Sequence, residues 1–248
     1  MLFIQGAGLH GAGWEPQVSE LSTSYTCATF DNRGMGRSQP HVGALTIEQM
    51  AADAVAIMDA LGWESAHVVG HSMGGLIAQH LAVSARTRVR SLALLCTFPR
   101  GGDATKLTPW MLWTGLRTRI GTRRQRRHAF LEMVLTRDEL AAADKDVLAA
   151  QLEPIFGHDL ADQPAIVMKQ LSAMSAYDAT PLLAGLAGLP TLVLSATHDR
   201  LAPPASGRAI AAGIAGARFV EWTDAAHGVP ITQAARVNEL LREHFARD

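Results

Sequence analysis

The stretch VVGHSMGGLIAQ, Val68 to Gln79, decides the fold. It joins a short apolar run, AHVV, to a helical pattern, MGGLIAQHLAV, through the pentapeptide GHSMG at Gly70 to Gly74. A serine on so tight a strand-to-helix turn must adopt a strained backbone, and flanking glycines without Cβ remove the clashes that would forbid it. The hydroxyl of Ser72 is then held out above the sheet. The competing explanation is a glycine-rich turn that closes tightly for packing alone, and only residues elsewhere in the chain separate the two.

The rest of the chain repeats the strand-helix alternation. LFIQ, TCATF, AHVVG, SLALLC, TLVLSA and RFVEW read as strands, and TIEQMAADAVAIMDALG reads as an amphipathic helix capped by Thr46 and closed by Gly62. Strands spaced by helices imply an α/β fold, a mostly parallel sheet flanked by helices, whose function gathers at the carboxyl ends of the strands. From Gly101 to Gly188 the alternation stops. LTPWMLWTGL, RRQRRHAFLEMVL, RDELAAADKDVLAAQL and PAIVMKQLSAMSAY are helical there, with no strand between them. The expected organisation is a core of residues 1–100 and 189–248 carrying an all-helical insertion over residues 101–188.

The bulk properties narrow the function classes. A chain of 248 residues suits one core, and a net charge of -1 with 18% charged residues gives no reason to expect nucleic acid. Cys27 and Cys96 sit in apolar runs, which suits buried reduced thiols better than a disulfide or a metal site. No apolar run reaches the roughly 18 residues of a membrane span, and no charged segment precedes an apolar signal core. A soluble, cytoplasmic protein acting on a small molecule is the expectation.

A serine nucleophile needs a base and an orienting acid beyond other strands. LVLSATHDRLAPP puts Asp199 in the loop after one strand, and FVEWTDAAHGVP puts His227 in the loop after the next. Chain order is then Ser72, Asp199, His227, the order of the strand-elbow serine enzymes. Asp199 could instead be a helix cap and His227 an ordinary loop histidine. Asp224 and Asp178 compete as acids, His71 and His198 as bases. For the oxyanion, the N–H of Met73 opens a helix, where unpaired donors and the dipole favour negative charge. A second donor is expected from QGAGLHGAGW, with Ala7 preferred and Gly8 next.

That same loop supplies a rival. Gly6, Gly8 and Gly11 spell G-x-G-x-x-G after a strand, and Asp31 follows the next strand where a dinucleotide fold places its ribose-binding acid. Against an NAD(P) oxidoreductase, the glycines continue to Gly13 and delay the helix that should meet the pyrophosphate. Neither Tyr25 nor Tyr177 is followed by the lysine of a Tyr-x-x-x-Lys pair.

Taken together these residues resemble the α/β-hydrolase superfamily, in particular its serine esterase and lipase-like members with helical caps. FIQGAGLHGAGW is similar to the family's oxyanion-loop strand, with Gln5 where many members have His. FDNRGMGRS, with Asp31 to Ser38, resembles its D-x-R-G-x-G-x-S loop, GHSMGG its nucleophile elbow, His198-Asp199 its acid turn and AHGVP its histidine loop. The resemblance implies a Ser72–His227–Asp199 triad, no cofactor and no metal, and an insertion that caps the site. Serine at the elbow disfavours the dehalogenase and epoxide-hydrolase branches, which carry Asp there. Members usually have two antiparallel strands before the one that here begins at Met1, so these two strands are expected to be missing, by trimming or a missed upstream start.

The expected activity is hydrolysis of small or medium, largely apolar carboxylic esters through an acyl-enzyme. C–C bond hydrolysis, lactone hydrolysis or cofactor-free perhydrolysis on the same triad are the alternatives. A receptor-like ligand-binding module of this fold is a further alternative, which an intact triad argues against. Trp110, Trp113, Met168, Met174 and Tyr177 are candidate pocket residues, though at helical spacing they also suit the insertion's core. Arg117, Arg119, Arg123, Arg124, Arg126 and Arg127 form a basic run that reads either as a solvated face or as a rim for an anionic substrate or carrier.

Overall fold

The computed structural model describes residues 1–38, 43, 45–105, 108–162 and 164–246. Among these, β1 (Leu2–Ile4), β2 (Ala28–Thr29), β3 (Ala66–His71), β4 (Val89–Leu95), β5 (Thr191–Ala196) and β6 (Arg218–Trp222) form one sheet in the order β2-β1-β3-β4-β5-β6. Every pairing is parallel. All of the strands anticipated from the sequence are present.

Period-two alternation divides the strand residues between two cores. Leu2, Ile4, Val68, Leu92, Leu94 and Val193 face one side, against α2 (Ile47–Ala60) and α3 (Met73–Ser84). Phe3, Val69, Ala93, Leu95, Leu192 and Leu194 face the other, against Trp14, Leu21, Val237, Leu241 and Phe245 from α1 (Glu15–Leu21), the turn before it, and α12 (Ala234–Phe245). Burial on both faces explains why the strands read as continuous apolar runs, each buried Leu or Phe contributing about 2 kcal/mol. The Thr46 hydroxyl accepts the Gln49 N–H at 3.1 Å, and Gly62 takes the left-handed φ of 67° that ends α2.

Between β4 and β5 come α4 (Gly101–Ala104), α5 (Pro109–Arg117), α6 (Arg123–Val134), α7 (Arg137–Ala142), α8 (Lys145–Phe156), α9 (Ile166–Ala176) and a 3-10 turn over Thr180–Leu186. RDELAAADKDVLAAQL, expected as one helix, is two: Asp144 caps a fresh start by accepting the N–H groups of Asp146 and Val147. Phe130, Leu131, Val134, Leu135, Leu152 and Phe156 form a third core. Against it pack Leu9, Leu201 and Ile231, from the chain beyond β1, β5 and β6. The inserted helices therefore sit at the carboxyl edge of the sheet. The remaining short helices are α10 (Pro204–Gly213) and α11 (Val229–Thr232). No helix among the described residues is long and apolar enough to cross a membrane.

Candidate functional site

Ser72 stands between β3 and α3 with φ 54° and ψ -122°. Only one other non-glycine among the described residues, Cys96, has a positive φ. Such a conformation costs about 1–3 kcal/mol for a side-chain-bearing residue, so a turn built for packing alone would place glycine there. The surrounding chain holds the strain. The Ser72 N–H donates to Leu95 O at 3.1 Å, while Ser72 O accepts the Gly75 N–H at 2.9 Å and the Thr97 hydroxyl at 2.6 Å. The flanking glycines do answer to packing: a Cβ on Gly70 would run into the main chain of Gly74 and Gly75, and one on Gly74 into the carbonyl of Ile4.

The loops after β5 and β6 are laced together by Thr197 N–H to Trp222 O (2.9 Å) and His198 N–H to Ala225 O (3.0 Å). This brings Asp199 and His227, both buried, into a 2.7 Å hydrogen bond between Asp199 Oδ2 and His227 Nδ1. Asp199 Oδ1 accepts the N–H groups of Leu201 and Ala202, each at 2.8 Å. With its proton on Nδ1, His227 keeps Nε2 as an acceptor. Burial, then the Asp199 carboxylate beside it, pushes the Cys96 thiol well above its ordinary range, so it stays protonated.

His71 donates Nε2–H to the His227 carbonyl at 3.0 Å, and the two rings lie 4.7 Å apart. Burial above all, with His227 adding to it, pulls the His71 pKa down to about 3, which keeps the ring neutral. His198 is exposed. Asp224 pairs with Arg236 at 2.9 Å and Asp178 with Arg100 at 2.9 Å, so neither rival acid serves His227.

Met73 is the first residue of α3, and its N–H is one that a helix leaves without an internal acceptor. A Cβ on Gly6 would lie 3.1 Å from the Ser72 Cβ, which puts the chain after β1 against the elbow. The Gly6 N–H is taken by Gln5 Oε1 at 2.9 Å and the Gly8 N–H by Gln170 Oε1 at 2.8 Å. Ala7 N–H lies between them, with no acceptor among the described residues. Gly8, the second choice from sequence, is thereby corrected: its donor is already engaged.

Several other candidates from the sequence have identifiable partners. Asp31 accepts the N–H groups of Gly11 and Arg37, both at 2.8 Å, so its carboxylate ties its own loop to the β1 loop, and a ribose would find both oxygens engaged. Gly11 is needed because a Cβ would press on the Phe30 main chain. The cleft of about 590 Å³ lined by His10, Asp31 and Arg37 belongs to this junction. Of the candidate pocket residues, Met174 and Tyr177 are buried in the first core, with the Tyr177 hydroxyl 2.8 Å from His80 Nδ1. Trp113 and Met168 are 61% and 53% exposed, and Trp110 lies under the Arg200 guanidinium, 4.2 Å from its ring centre. Within the basic run, Arg117 pairs with Glu132 (2.6 Å), Arg123 with Asp159 (2.6 Å) and Asp162 (2.7 Å), Arg124 with Asp146 (2.7 Å) and Arg127 with Asp159. Arg119 lies against Met168 Sδ, and Arg126 Nε is buried. Carboxylates within the insert neutralise most of the run, which removes the basis for an anion-attracting rim.

Comparison with known proteins agrees with this architecture. Residues 1–234 match the family model described as the alpha/beta hydrolase fold. A protein of Azorhizobium caulinodans, provisionally named carbamate hydrolase RutD, is 30% identical over 97% of this chain and 89% of its own length. The enol-lactonase from Burkholderia xenovorans LB400 superposes with a TM-score of 0.82 at 30% identity, covering 99% of this chain and 90% of that one. A thermophilic esterase from Thermogutta terrifontis gives 0.79 at 28% identity, covering 99% and 89%. The chain belongs to the α/β-hydrolase fold family. Hydrolase activity is the chemistry that the family and these relatives support.

Proposed function

We propose that the protein hydrolyses carboxylic esters through an acyl-serine intermediate. The carrying observations are the Asp199–His227 hydrogen bond of 2.7 Å and a serine held at φ 54° on the strand-to-helix turn. Ser72 Oγ attacks the acyl carbonyl as His227 Nε2 takes its proton, and the same proton passes to the leaving alcohol. Asp199 keeps His227 in the accepting tautomer and stabilises the imidazolium. The N–H groups of Met73 and Ala7 hold the oxyanion, and water then releases the acid by the same route. The proposed substrates are small or medium, largely apolar esters.

Lactone hydrolysis is the second reading, favoured by the 30% identity to an enol-lactonase. It uses the same attack, with the leaving alcohol remaining on the acyl chain. Replacing Ser72 by Ala should abolish turnover of p-nitrophenyl esters and labelling by a fluorophosphonate while the far-UV spectrum is unchanged. Undiminished ester hydrolysis by that variant would overturn the proposal, and a panel of esters and lactones of graded size separates the two readings.

A further inference from the structure

Gly8 is gripped from two sides by the helical insert. Its N–H donates to Gln170 Oε1 at 2.8 Å, from α9, and its carbonyl lies 2.9 Å from His158 Nε2, in the loop after α8. A carbonyl only accepts, so the ring donates here from Nε2. Gly8 itself has φ 73°, and a Cβ there would meet the Val167 side chain at 3.0 Å, so α9 seats directly on this residue. These partners are 162 and 150 residues away in sequence.

The bonds fix both polar groups of the residue next to Ala7. The Ala7–Gly8 peptide plane cannot rotate without moving the Gly8 N–H away from Gln170, which anchors the chain on one side of the peptide that carries the Ala7 N–H. On the other side, the Gly6 N–H is held by Gln5. Direction matters more than presence for an oxyanion donor, because its worth depends on being aimed beforehand at the place where charge develops. Gln170 is fully buried, yet its Nε2 meets no acceptor among the described residues. A buried amide that leaves a donor unused is a poor choice for packing alone, since an apolar side chain of similar length would avoid that penalty.

We infer that Gln170 and His158 are positioning residues that aim the Ala7 N–H at the oxyanion, so that the oxyanion hole is complete only when the insert is seated. The inference rests on the serine-hydrolase reading. It assigns the insert a part in the chemical step, beyond covering the site.

The test compares Gln170→Met, which keeps length and removes the acceptor, with His158→Phe, which removes the donor, and His158→Gln, whose amide nitrogen replaces Nε2. Misaiming one donor should lower kcat about 10- to 100-fold in the first two, less than the loss of the donor itself. KM should stay within about threefold, and His158→Gln should remain within about threefold of wild type in kcat. Inhibition by a trifluoromethyl ketone, which forms an oxyanion on Ser72, should weaken by the same factor as kcat/KM. A residue that served folding alone would lower the active fraction and leave both constants per labelled Ser72 unchanged. Should Gln170→Met fail to fold, the two His158 variants carry the comparison. Folded Gln170→Met or His158→Phe enzyme with wild-type kcat and ketone affinity would overturn the inference. The Ser72→Ala control keeps the two ideas apart: if it is inactive, that result refutes only the clamp, and if it is active, the serine reading itself falls.

Discussion

Replacing Asp199 by Asn exchanges one oxygen for an NH2 group at constant shape, and the structure dictates which one. Oδ1 lies between the N–H groups of Leu201 and Ala202, each at 2.8 Å. Turning the NH2 toward them would leave two buried donors without an acceptor, at about 1–3 kcal/mol each. The amide oxygen therefore takes the Oδ1 position, and the NH2 takes that of Oδ2, 2.7 Å from His227 Nδ1. It can only donate there, so the ring proton moves to Nε2 and His227 can no longer accept the proton of Ser72. A histidine locked in the wrong tautomer of a serine triad loses about 10⁴-fold in kcat, or about 5.4 kcal/mol of transition-state stabilisation at about 1.36 kcal/mol per tenfold. Steady-state hydrolysis of a p-nitrophenyl ester near neutral pH, on protein with an unchanged circular dichroism spectrum, measures it. A loss smaller than about tenfold would refute the argument that Asp199 sets the tautomer.

Three other outcomes follow from the same structure. Gly74→Ala pushes a methyl group into the Ile4 carbonyl, a main-chain group that cannot yield, and should lower unfolding stability by about 1–3 kcal/mol in urea titrations; unaltered stability would show that α3 can move away from β1. Below pH 6.5 the unfolded chain binds a proton at His71 that the folded protein refuses down to about pH 3, so stability should fall with acid by up to about 1.4 kcal/mol per pH unit at this residue. His71→Gln keeps the donor to His227 and should flatten that slope, and parallel slopes for the two proteins would count against a neutral, buried His71. Tyr177→Phe loses the bond to His80 and should cost about 1 kcal/mol without changing kcat or KM; an altered KM would return Tyr177 to the substrate pocket.

The sheet was legible because a strand buried on both faces writes itself as an apolar run, and the six runs stand apart from the longer helical patterns. Ser72, Asp199 and His227 could be singled out because strained or strand-end positions carry local marks: flanking glycines, a following pair of prolines, a polar residue just past an apolar run. The insert resisted the same treatment. Its apolar residues have helical spacing whether they face a core, a pocket or solvent, and Trp113, Tyr177 and Trp110 ended in three different environments. The charge run stayed ambiguous because its counter-charges lie as far as 39 residues away, at Asp159, Asp162 and Asp146. Gln170 and His158 left no local trace at all. Their partners are the two backbone groups of Gly8, and nothing in the identity of a glycine records who binds its main chain.

The packing of Leu9, Leu201 and Ile231 against one apolar cluster of the insert has a consequence for altering this protein by selection. A substitution among Phe130, Leu152 or Phe156 also shifts, through those three side chains, the loops that carry the proposed donor, acid and base. A displacement of about 1 Å at such groups can cost about 100-fold in rate. Variants chosen for a changed substrate range should therefore recruit second substitutions at positions 9, 201 and 231, and lineages in which these three stay fixed should gain breadth only by surrendering speed.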